Sequence, residues 1–452
     1  MTAATAGAFH DGASRAAATN ELPRLLPPVR EGKRPQHLDA HLARHGGLPY
    51  RDRTGMPGNP GALVRDLEEA GLTGRGGAAF PVHRKLMAVL EAAGQRGRPP
   101  AVIANGAESE PASDKDATLL WLAPHLVLDG LQLAAEAVGA DTAILVTHAD
   151  RGRDVAGRLR QALQERLAAR LDRVPVQLAA APARFLAGQE TALVNQLGGG
   201  PAIPTFMPPR ITERGLGANP TLVQNVETLA QLALIARRGP RWFREVGTAS
   251  EPGSMLATLR RADGLPRIVE IPLGLPLRDL LGDAPAGPES AVLLGGYHGR
   301  WLPAARAATL TLDNRSLEPA GARVGAGIVI SLPADRCGLV ETARAVRYLA
   351  LESAGQCGPC LNGLPRIAAA FAELASGRPR RGTREDLERW SGLVTGRGAC
   401  HHPDGTARFV RSALRTFANE VRRHERGQCS AASTAPFLPV PDGAARSEDD
   451  WM

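Results

Sequence analysis

The chain has 452 residues, 54 Lys and Arg against 46 Asp and Glu for a formal net charge of +8, and 43% hydrophobic residues. That length allows roughly two to four domains, and the apolar share supports a buried core rather than wholesale disorder. No apolar run approaches the ~18 residues of a membrane helix and no basic-then-apolar leader opens the chain, so a soluble, cytoplasmic protein is expected. The arginines are scattered and aromatic residues are only 4%. Basic grooves interleaved with stacking aromatics are therefore missing, and nucleic acid is not an expected partner. An acidic protein partner or an anionic cofactor accounts for the charge equally well.

Residues 1–36, rich in Ala, Pro and charge without a sustained period, read as a mobile arm. From 37 to 240 the pattern alternates as in an α/β domain. Ala62 to Ala70 has a helical period, and Pro81 to Ala93 reads as a second helix opened by proline in its first turn. Ala101–Asn105 and Thr142–Thr147 look like buried parallel strands. The helical stretch Asp154 to Arg170 leads on to Val174–Leu178 and completes a βαβ unit. Between 241 and 330 the runs are short and β-like: Arg267–Ile271, Ala291–Leu294 and Gly327–Ile330. Pro- and Gly-rich turns separate them, as in a small β-rich domain. From 331 to 425 the pattern is helical again, over Val340–Glu352, Ile367–Ala375, Arg384–Leu393 and Ala407–His424, which suggests a bundle. Residues 426–452 read as a flexible tail.

Four stretches carry chemistry. Gly74-Arg75-Gly76-Gly77-Ala78-Ala79-Phe80-Pro81 superficially fits a dinucleotide fingerprint, but a helix rather than a strand precedes it. What remains is a glycine-rich loop running into a helix, where a flat or phosphorylated ligand can approach the backbone and Lys85, a turn into the helix, can reach an anion. A structural turn is the plainer alternative. The second stretch, Asn105 to Asp116, crowds Glu108, Glu110, Asp116 and Lys115 at the end of a strand. Only three lysines occur in the chain, and two of them, Lys85 and Lys115, lie in these two regions. The third stretch joins Phe185, Gly188, Gln189 and Glu190 with Gln224, Asn225 and Thr228, whose amides and hydroxyls suit either sugar and ring edges or helix caps. The fourth is Cys357-Gly-Pro-Cys360 with Cys400 downstream, a spacing that lets thiolates face one metal or cluster. Five cysteines, an odd and sparse number, argue against a disulfide framework.

In this order the four motifs resemble the NADH-binding flavoprotein subunit of respiratory complex I and its relatives in soluble hydrogenases and formate dehydrogenases. The likeness runs from about His37 to His424 and includes His45-Gly-Gly. It implies an α/β fold in which a Rossmann-like FMN/NADH domain precedes a β-grasp domain of the soluble-ligand-binding type (SLBB-like) and a helical iron–sulfur bundle. It also implies an NADH dehydrogenase-type oxidoreductase, in which hydride passes from the nicotinamide to FMN and electrons leave singly through an iron–sulfur centre or to a ferredoxin-like partner. By resemblance, Gly74, Arg75, Gly76, Gly77 and Phe80 form the flavin loop with Lys85 beside both rings. Asn105, Glu108 and Glu110 contact flavin and NADH, and Phe185, Gly188, Gln189 and Glu190 form the stretch that usually reads Tyr-x-x-Gly-Glu-Glu. Gln224, Asn225 and Thr228 hold the phosphate side of the flavin. Lys85, Glu110 and Glu190 are the implied catalytic groups.

The departures are Ala79 for glycine, Ala107 for aspartate, Gln189 for glutamate and Ala354 for cysteine. Asn-Gly-Ala-Glu and Phe80-Pro-x-His83-x-Lys85 instead look like the NADH-binding subunit of Rnf-type ferredoxin:NAD oxidoreductases. Cys357, Cys360 and Cys400 match ligands of a 4Fe-4S cluster, but alanine binds no iron. That leaves a non-cysteine fourth ligand such as His401 or His402, a three-iron cluster, or a vestigial site. Cys337 and Cys429 fall outside the ligand spacing. A non-enzymatic scaffold, ferredoxin-driven NAD reduction, and peripheral association with a membrane redox subunit are the further readings the sequence leaves open.

Overall fold

A computed structural model describes residues 22–28, 34–49, 60–148, 153–282, 290–433, 435–441 and 448–451. Helices α1 (Leu38–His45), α2 (Pro60–Ala70) and α3 (Val82–Arg96) precede strand β1 (Ala101–Gly106). Then follow α4 (Lys115–Leu122), α5 (Pro124–Val138), β2 (Thr142–His148), α6 (Val155–Ala168), β3 (Val176–Ala181), α7 (Glu190–Leu197), β4 (Thr221–Asn225) and α8 (Val226–Phe243). The strands form a parallel sheet in the order β3-β2-β1-β4. Alternate residues face opposite ways, as a strand requires. Val102, Ala104, Leu145 and Leu222 enter a core with α2, α3, α5 and α8, whereas Ile103, Ile144, Val146 and Val223 join a second core that continues into the C-terminal helices. Helices α5 and α8 touch backbone to backbone at Gly130, where a Cβ would stand 2.0 Å from Leu229 O. Only glycine permits that approach, and it sets where the start of α8 lies.

The second sheet is built from β5 (Ser254–Arg260), β6 (Pro266–Pro272), β7 (Ala291–Leu294), β8 (Arg300–Pro303) and β9 (Ile328–Ser331). Its order is β6-β5-β9-β7-β8, with β5 and β9 parallel and the other neighbours antiparallel. The short helices α9 (Leu277–Leu281), α10 (Ala304–Ala307) and α11 (Asn314–Leu317) lie along this part of the chain, and α9 and α10 bury Leu277, Leu280, Leu281, Ala304 and Ala307 in its own small core. Helices α12 (Gly338–Leu351), α13 (Leu364–Ala375), α14 (Thr383–Val394), α15 (His402–Thr416) and α16 (Ala418–His424) complete the chain and pack on one another around Phe371, Leu387 and Phe409.

Parts of the expected arm and tail pack on the body. Residues 22–28 are held: Leu25 is fully buried, Glu270 accepts from the Arg24 and Leu25 amides at 2.8 Å, and the Arg24 guanidinium stacks 3.9 Å over Trp242. Residues 1–21 and 29–33 of that arm lie outside the described residues. In the tail, Phe437 and Leu438 are buried with their amides on Glu341, and Trp451 lies under Arg184 while its carbonyl accepts from Ala202 N at 2.7 Å. These segments contribute large side chains that the body would otherwise leave as gaps. Among the described residues no single helix is long and apolar enough to cross a membrane. The bent pair α4 and α5 is the sheet-covering core.

Candidate functional site

The chain leaves β1 for β2 and β3 on one side of the sheet, and returns to β4 on the other. The crevice beyond the C-terminal ends of β1 and β4 is thus the topological switch point, the usual ligand position in an open α/β sheet. Asn105 and Asn225 are direct partners at that edge. Their amides organise the surrounding loops. Asn105 Nδ2 donates to Gly188 O at 2.9 Å, and Asn225 Oδ1 caps α8 at Glu227 N (3.0 Å) while its Nδ2 donates to Asp116 Oδ2 at 2.7 Å. Gln224 Nε2, buried beside them, has no hydrogen-bond partner among the described residues. A buried amide donor of this kind wants an acceptor.

The glycine loop closes on this edge. Thr73 and Pro81 form an antiparallel bridge, Gly74 N donates to Phe80 O at 2.9 Å, and Arg75 N donates to Thr228 Oγ1 at 2.8 Å. A Cβ at Gly76 would stand 3.3 Å from Asn225 Cβ, so bare backbone is what lets the loop lie on the strand ends. Gly77 has φ +106° and Ala79 φ +52°, both in the left-handed region. The Arg75 side chain turns away from the crevice, is buried, and bonds Thr73 Oγ1 at 3.0 Å. It therefore serves the loop by its backbone and not as a cationic contact. Phe80 stays half exposed.

Helix α3 carries Lys85 to the rim, where Nζ meets Glu190 Oε2, the first residue of α7, at 2.6 Å. Gln189 caps that helix, its Oε1 accepting from Thr191 N at 2.8 Å and Ala192 N at 3.0 Å. A Cβ at Gly188 would stand 2.5 Å from Ala107 O, so the β1 loop and the α7 entry fit together only around glycine. The sequence reading missed Phe206, 76% exposed on the segment that Thr205 N ties to Thr191 Oγ1 (3.0 Å). The available signal was an aromatic residue set among Pro204, Pro208 and Pro209 in a chain poor in aromatics.

Three residues stand in surroundings that the sequence did not show. The Glu108 carboxylate caps α4, accepting from Lys115 N (2.9 Å), Asp116 N (3.2 Å), Ala117 N (3.1 Å) and Ser113 Oγ (2.5 Å). Lys115 is buried in an ion-paired cluster with Asp116 (2.7 Å) and Glu227 (2.9 Å) rather than free at the strand end. Burial opposes its charge, but the two carboxylates outweigh burial and hold its pKa above the ordinary lysine value. Burial pushes Asp116 up to about 6 against the pull of Lys115. Phe185, expected to stack on a ring, is buried edge-on to His298 (4.8 Å) with its amide on Glu352 Oε2 (2.8 Å), between the first sheet and the C-terminal helices. Glu110 stands nearer the second sheet, accepting from Tyr297 N at 3.0 Å.

Cys357 and Cys360 lie in the turn before α13 and Cys400 in the loop before α15, and burial raises the pKa of the Cys400 thiol. Burial pushes the Cys360 thiol up to about 12, opposed by a hydrogen bond with Ser353. His402 is not a spare ligand, because Nε2 faces Leu349 O at 2.8 Å and Nδ1 faces His298 at 3.0 Å. His401 is exposed, with Nδ1 3.2 Å from Asp404. Ala354 packs against the helical core and offers no donor.

Comparison with known proteins gives a consistent set. Residues 67–234 match the Nuo51 FMN-binding domain, and residues 341–424 match the NADH-ubiquinone oxidoreductase-F iron-sulfur binding region. The F 2 subunit of NADH-quinone oxidoreductase from Rhizobium meliloti (strain 1021) is 32% identical over 381 residues, 81% of this chain and 89% of that protein. The F subunit of the same enzyme from Streptomyces coelicolor is 29% identical over 426 residues, 90% of this chain and 91% of that protein. Among solved structures, an NAD+-reducing [NiFe]-hydrogenase in the air-oxidized state superposes with a TM-score of 0.74 at 28% identity, over 94% of this chain and 69% of that one. Its H2-reduced counterpart gives 0.71 at 28% identity, over 84% of this chain and 64% of that one, so this chain spans about two thirds of the hydrogenase chain's length.

Proposed function

The chain belongs to the family of NADH-quinone oxidoreductase F subunits, and from that premise we propose how its own residues carry NADH oxidation. The observation that carries the reading is the glycine loop clamped over the strand ends at the sheet's switch point, beside the Lys85–Glu190 pair. The crevice fits an anionic, planar cofactor: it offers bare backbone at Gly76 and Gly77, an unsatisfied buried donor on Gln224 and a cation at its rim. FMN held there would supply a two-electron acceptor able to release electrons one at a time.

Gly74, Gly76 and Gly77 admit the ring system close to the backbone, and Thr228 fixes that backbone through Arg75 N. Gln224 donates to the ligand, while Asn105, Asn225, Gly188 and Gln189 hold the encircling loops in register. NADH enters between the loop and α7, with Phe80 and Phe206 offering flat apolar faces to its rings. Lys85 balances the negative charge of the ligands, and Glu190 fixes where the ammonium stands. Glu110 keeps the β1 loop against the second sheet, at the inner margin of the site.

Cys357, Cys360 and Cys400 supply three soft thiolates for an iron–sulfur cluster, which would act as a one-electron relay. The position of Ala354 lacks the fourth. The second sheet with α9 supports a β-grasp, SLBB-like module between about 241 and 330, and α12–α16 a helical cluster domain to about 425. The relatives are subunits of larger oxidoreductases, so a redox subunit or ferredoxin-like protein is the proposed partner. The protein is then cytoplasmic, reaching a membrane only through that partner. An anaerobic absorption spectrum, taken with FMN and titrated with NADH, tests the reading. Bleaching of a bound flavin band is expected, and a chain that binds no flavin overturns it.

A further inference from the structure

A second group of metal-binding side chains lies away from the three cluster cysteines, in residues the redox reading does not use. Cys337 precedes α12, Glu420 and His424 lie one turn apart on α16, and Cys429 follows that helix. Cys337 Sγ is 3.5 Å from His424 Nε2, and Glu420 Oε1 is 3.3 Å from the same nitrogen. One donor atom from each of the four residues falls within 4.8 Å of all the others. Cys337, Glu420 and His424 are buried, whereas Cys429 is exposed and closes the group from outside.

The surroundings prepare these atoms as ligands. His424 Nδ1 faces Leu374 O at 3.0 Å, which places the ring proton there and leaves the Nε2 lone pair toward Cys337 and Glu420. Metal-bound histidines usually have their other nitrogen held this way. Glu420 is oriented by Ser430, through its amide at 2.7 Å and its hydroxyl at 2.6 Å. Gly427, with φ +74°, reverses the chain after α16 and returns Cys429 over the helix end. Two thiolates, one imidazole and one carboxylate are a closed set of four for a borderline-soft divalent ion.

We propose that Cys337, Glu420, His424 and Cys429 form a structural zinc-type site that staples the C-terminal segment to the start of α12. The same region is already drawn together by the bridge between Arg336 and Ser433, and the segment runs on to the buried Phe437 and Leu438. The ion would lock that return in place and carries no electron.

The test uses the full chain with Cys357→Ser, Cys360→Ser and Cys400→Ser, so that cluster thiols contribute nothing, and Co2+ as the probe. One equivalent should bind with sulfur-to-cobalt charge-transfer absorption that Zn2+ abolishes by displacement. Adding Cys429→Ser should weaken binding by about a hundredfold. Absence of thiolate charge transfer, or an unchanged affinity in the Cys429→Ser chain, overturns the proposal. The unaltered chain gives an independent reading: Zn2+ should protect the exposed Cys429 from alkylation under reducing conditions. Unprotected alkylation, or isolation of Cys337 and Cys429 as a disulfide that binds no metal after reduction, overturns it as well. Flavin binding is not needed for any of these outcomes, so they stand apart from the test of NADH oxidation.

Discussion

Lys85 and Glu190 are 105 residues apart in the chain, yet their side chains meet at 2.6 Å on the rim of the crevice. The pair is partly exposed, at 19% and 37%, so its contribution to stability is small, about 1 kcal/mol or less. Its value lies in the position it gives a cation. Lys85→Ala and Glu190→Gln should each lower kcat/KM for NADH at least about tenfold, or about 1.4 kcal/mol, with little change in Tm. Steady-state assays with an artificial acceptor, beside thermal melts, separate the two effects. Unchanged kinetics in both variants would remove these residues from the site.

Glu227 is the opposite case. It is fully buried, pairs with Lys115 at 2.9 Å and accepts from Leu256 N at 2.8 Å. Glu227→Ala leaves the buried ammonium with Asp116 alone and strands an amide, so a loss of about 3–5 kcal/mol is expected in urea unfolding.

Ala79 holds φ +52°, where an alanine is strained by about 1–2 kcal/mol. Ala79→Gly relieves that strain but adds unfolded-state entropy of about 0.5–1 kcal/mol. The net expectation is a small rise in Tm with FMN affinity kept or improved, checked by melts and flavin titration. A fall in Tm would show that the strain is not real.

Burial lowers the pKa of His45 to about 3 and those of His125 and His402 to about 4, against 6.5 for the free side chain. As pH falls below 6.5 the unfolded chain takes up these protons before the fold does, so stability is lost through that window. Each fully titrating group contributes up to about 1.4 kcal/mol per pH unit. Asp116, raised from 3.8 to about 6, works in the other direction: its fold-specific penalty fades as pH drops from 6 toward 4. Burial also lowers the pKa of His298 and raises those of Glu227 and Glu270, so four histidines act against three carboxylates. Chemical unfolding followed from about pH 7 to about pH 5 should show falling stability; a flat or rising profile would contradict the buried neutral imidazoles.

Ala354→Cys supplies the missing thiol. Anaerobic reconstitution of this variant should give a more oxygen-resistant cluster and a higher iron and sulfide content than the unaltered chain, with a stronger low-temperature EPR signal after reduction. Equal iron content in both would show that the fourth position already has a ligand.

Local pattern made much of the fold legible. The apolar runs at Ala101 and Thr142 became β1 and β2 within a residue, and Pro81 does precede the helix that carries Lys85. The stretch Thr221–Asn225 was read for its amides and not as a strand, because a five-residue run next to a helix start leaves little period to see. Other surroundings depend on side-chain contacts that local pattern does not show. Lys115 looked functional for its rarity, but Glu227, 112 residues away, neutralises it. Glu108 accepts from the amides of α4, and Phe185 meets His298 and Tyr348. Side-chain type marks where chemistry is available; only the fold decides which groups remain unspent.

Glu227 has one further effect. With one oxygen on Lys115 in the flavin half and the other on the backbone of β5, it is a rivet between the two sheets. Rocking them apart would strand an ionised pair in an apolar interior, a penalty of several kcal/mol. The spacing of β5 from the start of α8 is therefore set once, when the polypeptide collapses.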